Sequence, residues 1–378
     1  MGLTIPVGVL LDNPILTRRE VDLCLRDRFR TSQGSYRRWD DKAKDEVAFR
    51  FFSSQEYLGP LSAPVFAGWC ARELKILTKD GRIVPFVVNA IQYRFLEELF
   101  DDINDGTPAR YIILKARQFG FSTLVQAICF FFTATEEGCS ATVISHKDSS
   151  TAHLYGMFKR FCDHARLLPR RVKANRRQLA WAHDSKISLE TAGGKEAGRS
   201  TTNRIVHASE LAFWDNADPT WLALAQTVGD YPNTMVFQES TANGMGDLFH
   251  RNYQAGKQGK SRYKSLFYAW WEHPEYRIKL TRRRASQVMQ KLDDEEMSGI
   301  EQFGWDAEQV AWRRFTIHDK CGGDVTYFHQ EYPSTDDEAF LTSGSPVFDP
   351  EQVAVRLRRA SDLEPLVVGN IGYSGRDV

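Results

Sequence analysis

Three stretches of this sequence hold residue types that together could handle a polyphosphate. The first is "YIILKARQFGFST", residues 111–123. A phosphate-binding loop reads G-x-x-x-x-G-K-[ST], with its lysine directly after the second glycine. Here Gly120 holds the second-glycine position, Phe121 the lysine position and Lys115 the first-glycine position, and Ser122 and Thr123 follow. A strand, a turn and a helix start present backbone N–H groups and a helix dipole to phosphate. That cradle would run from Lys115 and Ala116 through Arg117, Gln118, Phe119, Gly120 and Phe121 to Ser122 and Thr123. Ser122 stands where a loop hydroxyl would ligate Mg²⁺. The cation that neutralises phosphate would be Lys115 or Arg117, five and three residues before Gly120; either could fold back over the loop. The plain alternative is a strand-to-helix turn.

The second stretch is "RIVHASELAFWD" (204–215). A phosphate-loop ATPase needs one carboxylate for the magnesium shell and another to position and deprotonate the attacking water. Here the strand ends in Ser209-Glu210, so a serine stands in the usual aspartate position. Ser209 could hold a magnesium-bound water by a hydrogen bond, with Glu210 as the catalytic carboxylate. The third stretch is "FQESTANGMGDLF" (237–249), where Glu239 to Thr241 close an apolar run and Asn243-Gly244 is a turn signal. In helicase-like ATPases such a hydroxyl-rich strand end faces the γ-phosphate, which makes Thr241 a candidate. Gln92, in "FVVNAIQYRF", carries an amide able to read an adenine edge. Against these stand plain readings: an exposed strand-end glutamate, capping hydroxyls, a surface glutamine. His207 lies two residues before Ser209 and should share its side of the strand, where a packed histidine is expected.

The elements that must position these groups follow from hydrophobic patterning. "ARYIILKA", "CSATVISH" (139–146), "KISLET" (186–191), "NRIVHASE" (203–210) and "NTMVFQEST" (233–241) are short β-rich runs. "AIQYRFLEELFDDI", "FSTLVQAICFFFTAT" and "DSSTAHLYGMFKRFCDHA" have helical spacing. Buried runs separated by helices imply an α/β core with a mostly parallel sheet. In such sheets ligands sit at the carboxyl ends of the strands, where Lys115, Glu210 and Thr241 fall. We expect an N-terminal helical appendage or lid over 1–75, the core over 76–264, a charged, tryptophan-rich helical subdomain over 265–360 and a linker over 361–378. Trp270, Trp271 and Trp312 are expected to be packing anchors.

With 378 residues the chain can bury a large core. Lys+Arg and Asp+Glu both number 49, so net charge points to no acidic partner. The six cysteines have no metal or disulfide spacing and are expected to be free thiols. "AICFFFTA" is too short to span a bilayer, and no membrane partner is expected.

In this order the stretches "NAIQYRF", "KARQFGFSTL", "NRIVHASELAFW", "QESTANGMGDLF", "WRRFTI" and "QEYPSTDDEAFLTSGSPVF" resemble the large terminase subunit of tailed bacteriophages. The resemblance runs from about residue 85 to 348. It implies a RecA-like, additional-strand ATPase core with a small helical lid, using ATP and Mg²⁺. It implies a ring docked on the portal protein of a procapsid in the cytoplasm of an infected bacterium, working with a small terminase subunit on double-stranded DNA. The family's variant loops carry their lysine at the start, which points to Lys115, and Arg117 matches a loop arginine that contacts the γ-phosphate. Arg199 matches a position from which some members reach a neighbouring subunit's site. An arginine finger of that kind contributes roughly 10³–10⁵ in rate. Two departures stand out: Ser209 replaces the commoner aspartate, and the chain ends at "VVGNIGYSGRDV", about where a nuclease domain would begin, so nuclease activity is not expected of it.

"KRFCDHARLLPRRVKANRRQ" (159–178) is strongly basic and could grip duplex phosphates without reading sequence, or could form a subunit surface. Two rival readings remain: a helicase or repair ATPase of the same broad fold, and a docking module whose nucleotide loop has decayed.

Overall fold

The computed structural model describes residues 61–165, 168–193, 202–341 and 356. Its centre is an eight-stranded sheet: β3 Ala109–Lys115, β4 Ser140–Ser145, β5 Arg171–Asn175, β6 Gln178–Trp181, β7 Lys186–Thr191, β8 Ile205–Ser209, β9 Met235–Ser240 and β10 Lys264–Tyr268, in the order β10-β3-β9-β8-β4-β7-β6-β5. The strands from β10 to β7 pair in parallel, and β6 and β5 add an antiparallel hairpin at one edge. Every residue of β3, β8 and β9 is buried, the pattern of a parallel sheet covered on both faces. β9 lies between the loop strand β3 and the Glu210 strand β8. That extra central strand defines the additional-strand, RecA-like core expected from the sequence.

A small antiparallel pair, β1 Lys75–Leu77 and β2 Ile83–Pro85, precedes the sheet. One face is covered by α1 Ala63–Glu73, α2 Ala90–Asn104, α3 Phe121–Thr135 and α4 Asp148–His164, which share one core. The other carries α5 Ala217–Ala225 and α6 Leu248–Lys257. Thirteen of the fifteen residues of α3 are buried, so "AICFFFTA" is a central core helix, covered on all sides rather than on one face. No helix among the described residues is long and apolar enough to cross a membrane.

Two expected segment edges fall inside packed structure. α1, within 1–75, sets Phe66 and Trp69 against Phe131 of α3, with ring centroids 5.4 and 4.9 Å apart. Its apolar stripe makes it part of the core; residues 1–60 lie outside the described part. β10 begins at the expected boundary and pairs with β3, so the sheet continues to Tyr268.

Beyond it come α7 Arg282–Met289, α8 Asp294–Phe303, α9 Ala307–Phe315, α10 Val325–Glu331 and α11 Asp336–Leu341. α7 to α10 pack around an aromatic stack: Trp312 lies 5.3 Å from Trp270 and 4.4 Å from Tyr276, both nearly parallel to it; α11 sets Phe340 against Phe249 and Tyr253 of α6 instead. Trp271 stacks on Phe303. The tryptophans are packing anchors, as expected. Cys70, Cys129, Cys139, Cys162 and Cys321 are free thiols; Cys24 lies outside the described residues.

Candidate nucleotide-binding site

Side chains alternate along a strand, and the register assembles the site from that alternation. Ile113 pairs with Glu239, and Glu239 with Ser209. Lys115, Glu239, His207 and Ser209 therefore share the sheet face that α3 covers. Lys115 ends β3 with 4% of its surface exposed. Its Nζ lies 3.2 Å from Glu210 Oε1 and 3.2 Å from Glu239 Oε1, so the lysine reaches across the end of β9 towards β8.

The loop between β3 and α3 is held from outside. Ala116 N–H donates to the Tyr268 carbonyl and Arg117 N–H to the Glu331 carbonyl. Gln118 and Gly120 both adopt left-handed backbone, φ 59° and 73°. At Gly120 the dihedral disfavours a side chain, and a Cβ would meet Gln92 Nε2 at 2.8 Å and displace the amide that braces the loop. Among the described residues no protein acceptor engages the N–H groups of Gln118, Phe119 or Gly120. The first N–H groups of α3 have no intrahelical partner by geometry, which gives the loop the donor set of an anion cradle. Phe121 is fully buried, its ring 4.6 Å from Tyr268 and 5.7 Å from Phe95. The usual lysine position is thus a core position here. Phe119 is also buried, against His273 and Tyr276.

Glu210 follows β8 in left-handed backbone, φ 53° and ψ 49°, which costs an L-residue about 1–2 kcal/mol. Strain of this kind clusters at functional sites. Its Oε2 accepts long hydrogen bonds from Ser240 Oγ and Thr241 N–H, both at 3.4 Å. Thr241 therefore joins through its backbone N–H. Ser122 Oγ donates to Glu239, 2.9 and 3.1 Å from the two carboxylate oxygens. Thr123 Oγ1 points instead to Met157 of α4, 3.9 Å away. Ser209 Oγ is 3.5 Å from Glu239 Oε2.

Two candidates sit differently from the sequence expectation. The Gln92 amide is committed to protein: Oε1 accepts from Asn89 N–H, closing the N-terminal capping box of α2, and Nε2 donates to the Gly120 carbonyl at 2.9 Å. It braces the loop and presents no free edge to a base. Arg117 turns to the helical layer, with Nη1 2.5 Å from Glu331 Oε2, and its carbonyl accepts from the Tyr276 hydroxyl. Arg199 lies outside the described residues.

Glu239 was not singled out from the sequence, yet it is the hub. It is fully buried and also meets His207 Nε2 at 3.1 Å. Gln126 Nε2 lies 2.7 Å from His207 Nδ1, which makes Nδ1 the acceptor and leaves the Nε2 proton for Glu239. The signal was available: Phe237 faces the core, so period two places Glu239 inward, and a buried carboxylate needs partners. Burial would raise its pKa, but Lys115, His207 and Ser122 outweigh that and hold it down at about 2. Burial would likewise lower the Lys115 pKa; Glu210 and Glu239 reverse it, so the ammonium stays charged above its ordinary range.

A buried cation, a hydroxyl at a helix start, free loop N–H groups and two carboxylates converge here. That donor set fits a nucleoside triphosphate with a divalent cation: Lys115 and the loop for phosphate, Ser122 and the carboxylates for the metal.

Among the solved structures similar to this one are phage large terminases. The HK97 bacteriophage large terminase matches at TM-score 0.49 with 12% identity, over 73% of this chain and 55% of that one. The large terminase ATPase domain of Thermus phage P74-26 matches at TM-score 0.39 with 16% identity, over 59% of this chain and 94% of that one. No family model matches the chain, and no curated protein does.

Proposed function

We propose that this chain is the ATP-hydrolysing motor of a large terminase subunit, driving double-stranded DNA into a procapsid. The observation that carries the ATPase reading is the Lys115 ammonium, set at the end of the central strands between Glu210 and Glu239 and beside the start of α3. A decayed loop would have no reason to keep a buried lysine against two carboxylates at the phosphate end of the sheet. The terminase reading rests on the order of the sequence stretches between about 85 and 348.

In this account Lys115 and the loop N–H groups hold the β- and γ-phosphates, and Ser122 offers its hydroxyl to Mg²⁺. Bound Mg²⁺ would neutralise charge that builds on the phosphate oxygens. Glu210 orients the attacking water and takes its proton as the water oxygen bonds to the γ-phosphorus and ADP departs. Glu210 Oε2 is tied to Ser240 and Thr241, so events at the γ-phosphate reach the end of β9 directly. Arg117 would pass the state of the loop to the helical layer through Glu331. Arg199 is retained as a candidate finger supplied to a neighbouring subunit of a ring.

The β5–β6 hairpin is the proposed DNA grip. Arg171, Lys173, Arg176 and Arg177 are exposed on the sheet edge farthest from β10, and contacts to phosphate alone allow a motor to advance irrespective of sequence. Portal protein and small terminase subunit are the further partners. The test is Mg²⁺-dependent ATP hydrolysis by the chain, with and without duplex DNA and portal. Hydrolysis that rises with DNA is expected. No nucleotide binding and no hydrolysis in any assembly would overturn the reading in favour of a docking module.

A further inference from the structure

We propose that Glu239 on β9 is the carboxylate of the magnesium shell, a role displaced from position 209 onto the neighbouring strand. The proposal rests on the ATPase reading above. Four observations carry it. The Ser122 hydroxyl donates to Glu239; a hydroxyl that gives its proton to a carboxylate keeps its lone pairs for a metal, and the carboxylate fixes its direction. Ser209 and Glu239 are register partners with Oγ and Oε2 3.5 Å apart, so an aspartate at 209 would set two carboxylates side by side. Serine at one position and glutamate at the other are complementary choices.

Glu239 is also oriented from behind. Gln126 fixes the His207 tautomer, and His207 donates to Glu239, an ordered chain of buried groups of the kind that supports metal ligands. Finally, Lys115 brings one positive charge to two carboxylates. Within that trio negative charge is in excess, which suits a divalent cation.

A plain counter-ion for Lys115 would explain the ion pair but not the Ser122 and His207 geometry. The two roles separate in binding. We would measure affinity for a non-hydrolysable ATP analogue with Mg²⁺ and with chelator, and Mn²⁺ affinity of the protein–analogue complex by electron paramagnetic resonance. Glu239→Gln should lower Mn²⁺ affinity about 10- to 100-fold while metal-free analogue binding is retained. Glu239→Asp keeps the charge beside Lys115 but retracts it by one methylene, and should show a smaller loss in the same direction; it serves if the glutamine variant does not fold. Adding Ser209→Asp to Glu239→Gln should recover Mn²⁺ affinity by returning the carboxylate to β8. Wild-type Mn²⁺ affinity in both single variants overturns the proposal and leaves the ATPase reading standing. Absence of analogue binding by the wild-type chain, with or without metal, fails that reading instead.

Discussion

At the end of the sheet one lysine is shared by two carboxylates from different strands; in the helical layer beside it, arginine forks hold theirs. Glu296 of α8 is fully buried and takes a bidentate pair from Arg314, 2.7 and 2.5 Å, while its Oε2 also accepts Asp293 N–H in the α8 capping box. Arg313 is buried and meets Glu295 at 2.6 Å. A planar guanidinium against a carboxylate is a directional pair that resists rearrangement. An ammonium is a point charge on a flexible stem, so in the proposed function Lys115 would pass from carboxylate to phosphate without a bidentate fork to break. Charge in the helical layer fixes geometry, and charge at the sheet end is disposed for exchange. Arg117 links the two, lying in the loop by sequence and against Glu331 in space.

The largest effect expected from that contrast is chemical. Glu210→Gln should reduce ATP hydrolysis by about 10²–10⁴-fold with analogue affinity nearly unchanged, read by steady-state hydrolysis and calorimetric binding. Near-wild-type turnover would remove Glu210 from the chemistry.

The next effect is on stability. Glu296→Ala strips the partner from Arg314 and opens the capping box, and should cost about 1.5–3 kcal/mol in denaturant unfolding. Glu296→Gln keeps an acceptor for Asp293 N–H and should cost less. If the alanine variant instead unfolds like wild type, the fork is no structural element.

The two regions should also respond to opposite ends of the pH scale. Burial would lower the His329 pKa, but Glu295 and Glu338 outweigh it and raise it above 6.5. Its contribution is complete below that value and is lost as pH rises through the raised pKa. Glu239, held at about 2 against an ordinary 4.5, contributes above 4.5 and is lost as pH falls towards 2. Thermal melts across pH should show both arms, the alkaline arm flattened by His329→Gln and the acid arm by Glu239→Gln.

The smallest effect concerns the link. Arg117 is more than half exposed, so losing its ion pair should change stability by only about 0.2–1 kcal/mol. Arg117→Ala and Glu331→Gln should alter hydrolysis alike and non-additively if Arg117 acts through Glu331. A loss confined to Arg117→Ala would place its guanidinium on phosphate.

Much of the core was legible because parallel strands buried on both faces leave continuous apolar runs; β3, β4, β7, β8 and β9 all stand where such runs were read. The β5–β6 hairpin was not: "RVKAN" alternates, but all five residues are exposed, so the alternation marks no buried face and the segment reads as part of a basic stretch. β10 was lost against the tryptophan-rich sequence after it. In the site, Lys115, Ser122 and Glu210 followed from spacing to Gly120 and from strand ends. Glu239 did not, because "QEST" reads as a polar exit from a strand until register shows which way the glutamate points. Gln92 and Arg117 were placed in the right neighbourhood, but their partners, Gly120 and Glu331, lie 28 and 214 residues away along the chain, and no local pattern encodes such pairs.

In the proposed function the phosphate-binding lysine stands at the start of the loop, at Lys115, and Phe121 is a core residue. The most direct measurement of that assignment is ATP-analogue affinity of Lys115→Ala in the presence of Mg²⁺, beside a thermal melt that establishes the fold. The folded variant is expected to lose analogue binding with Phe121 untouched. Wild-type affinity in folded Lys115→Ala would contradict that assignment.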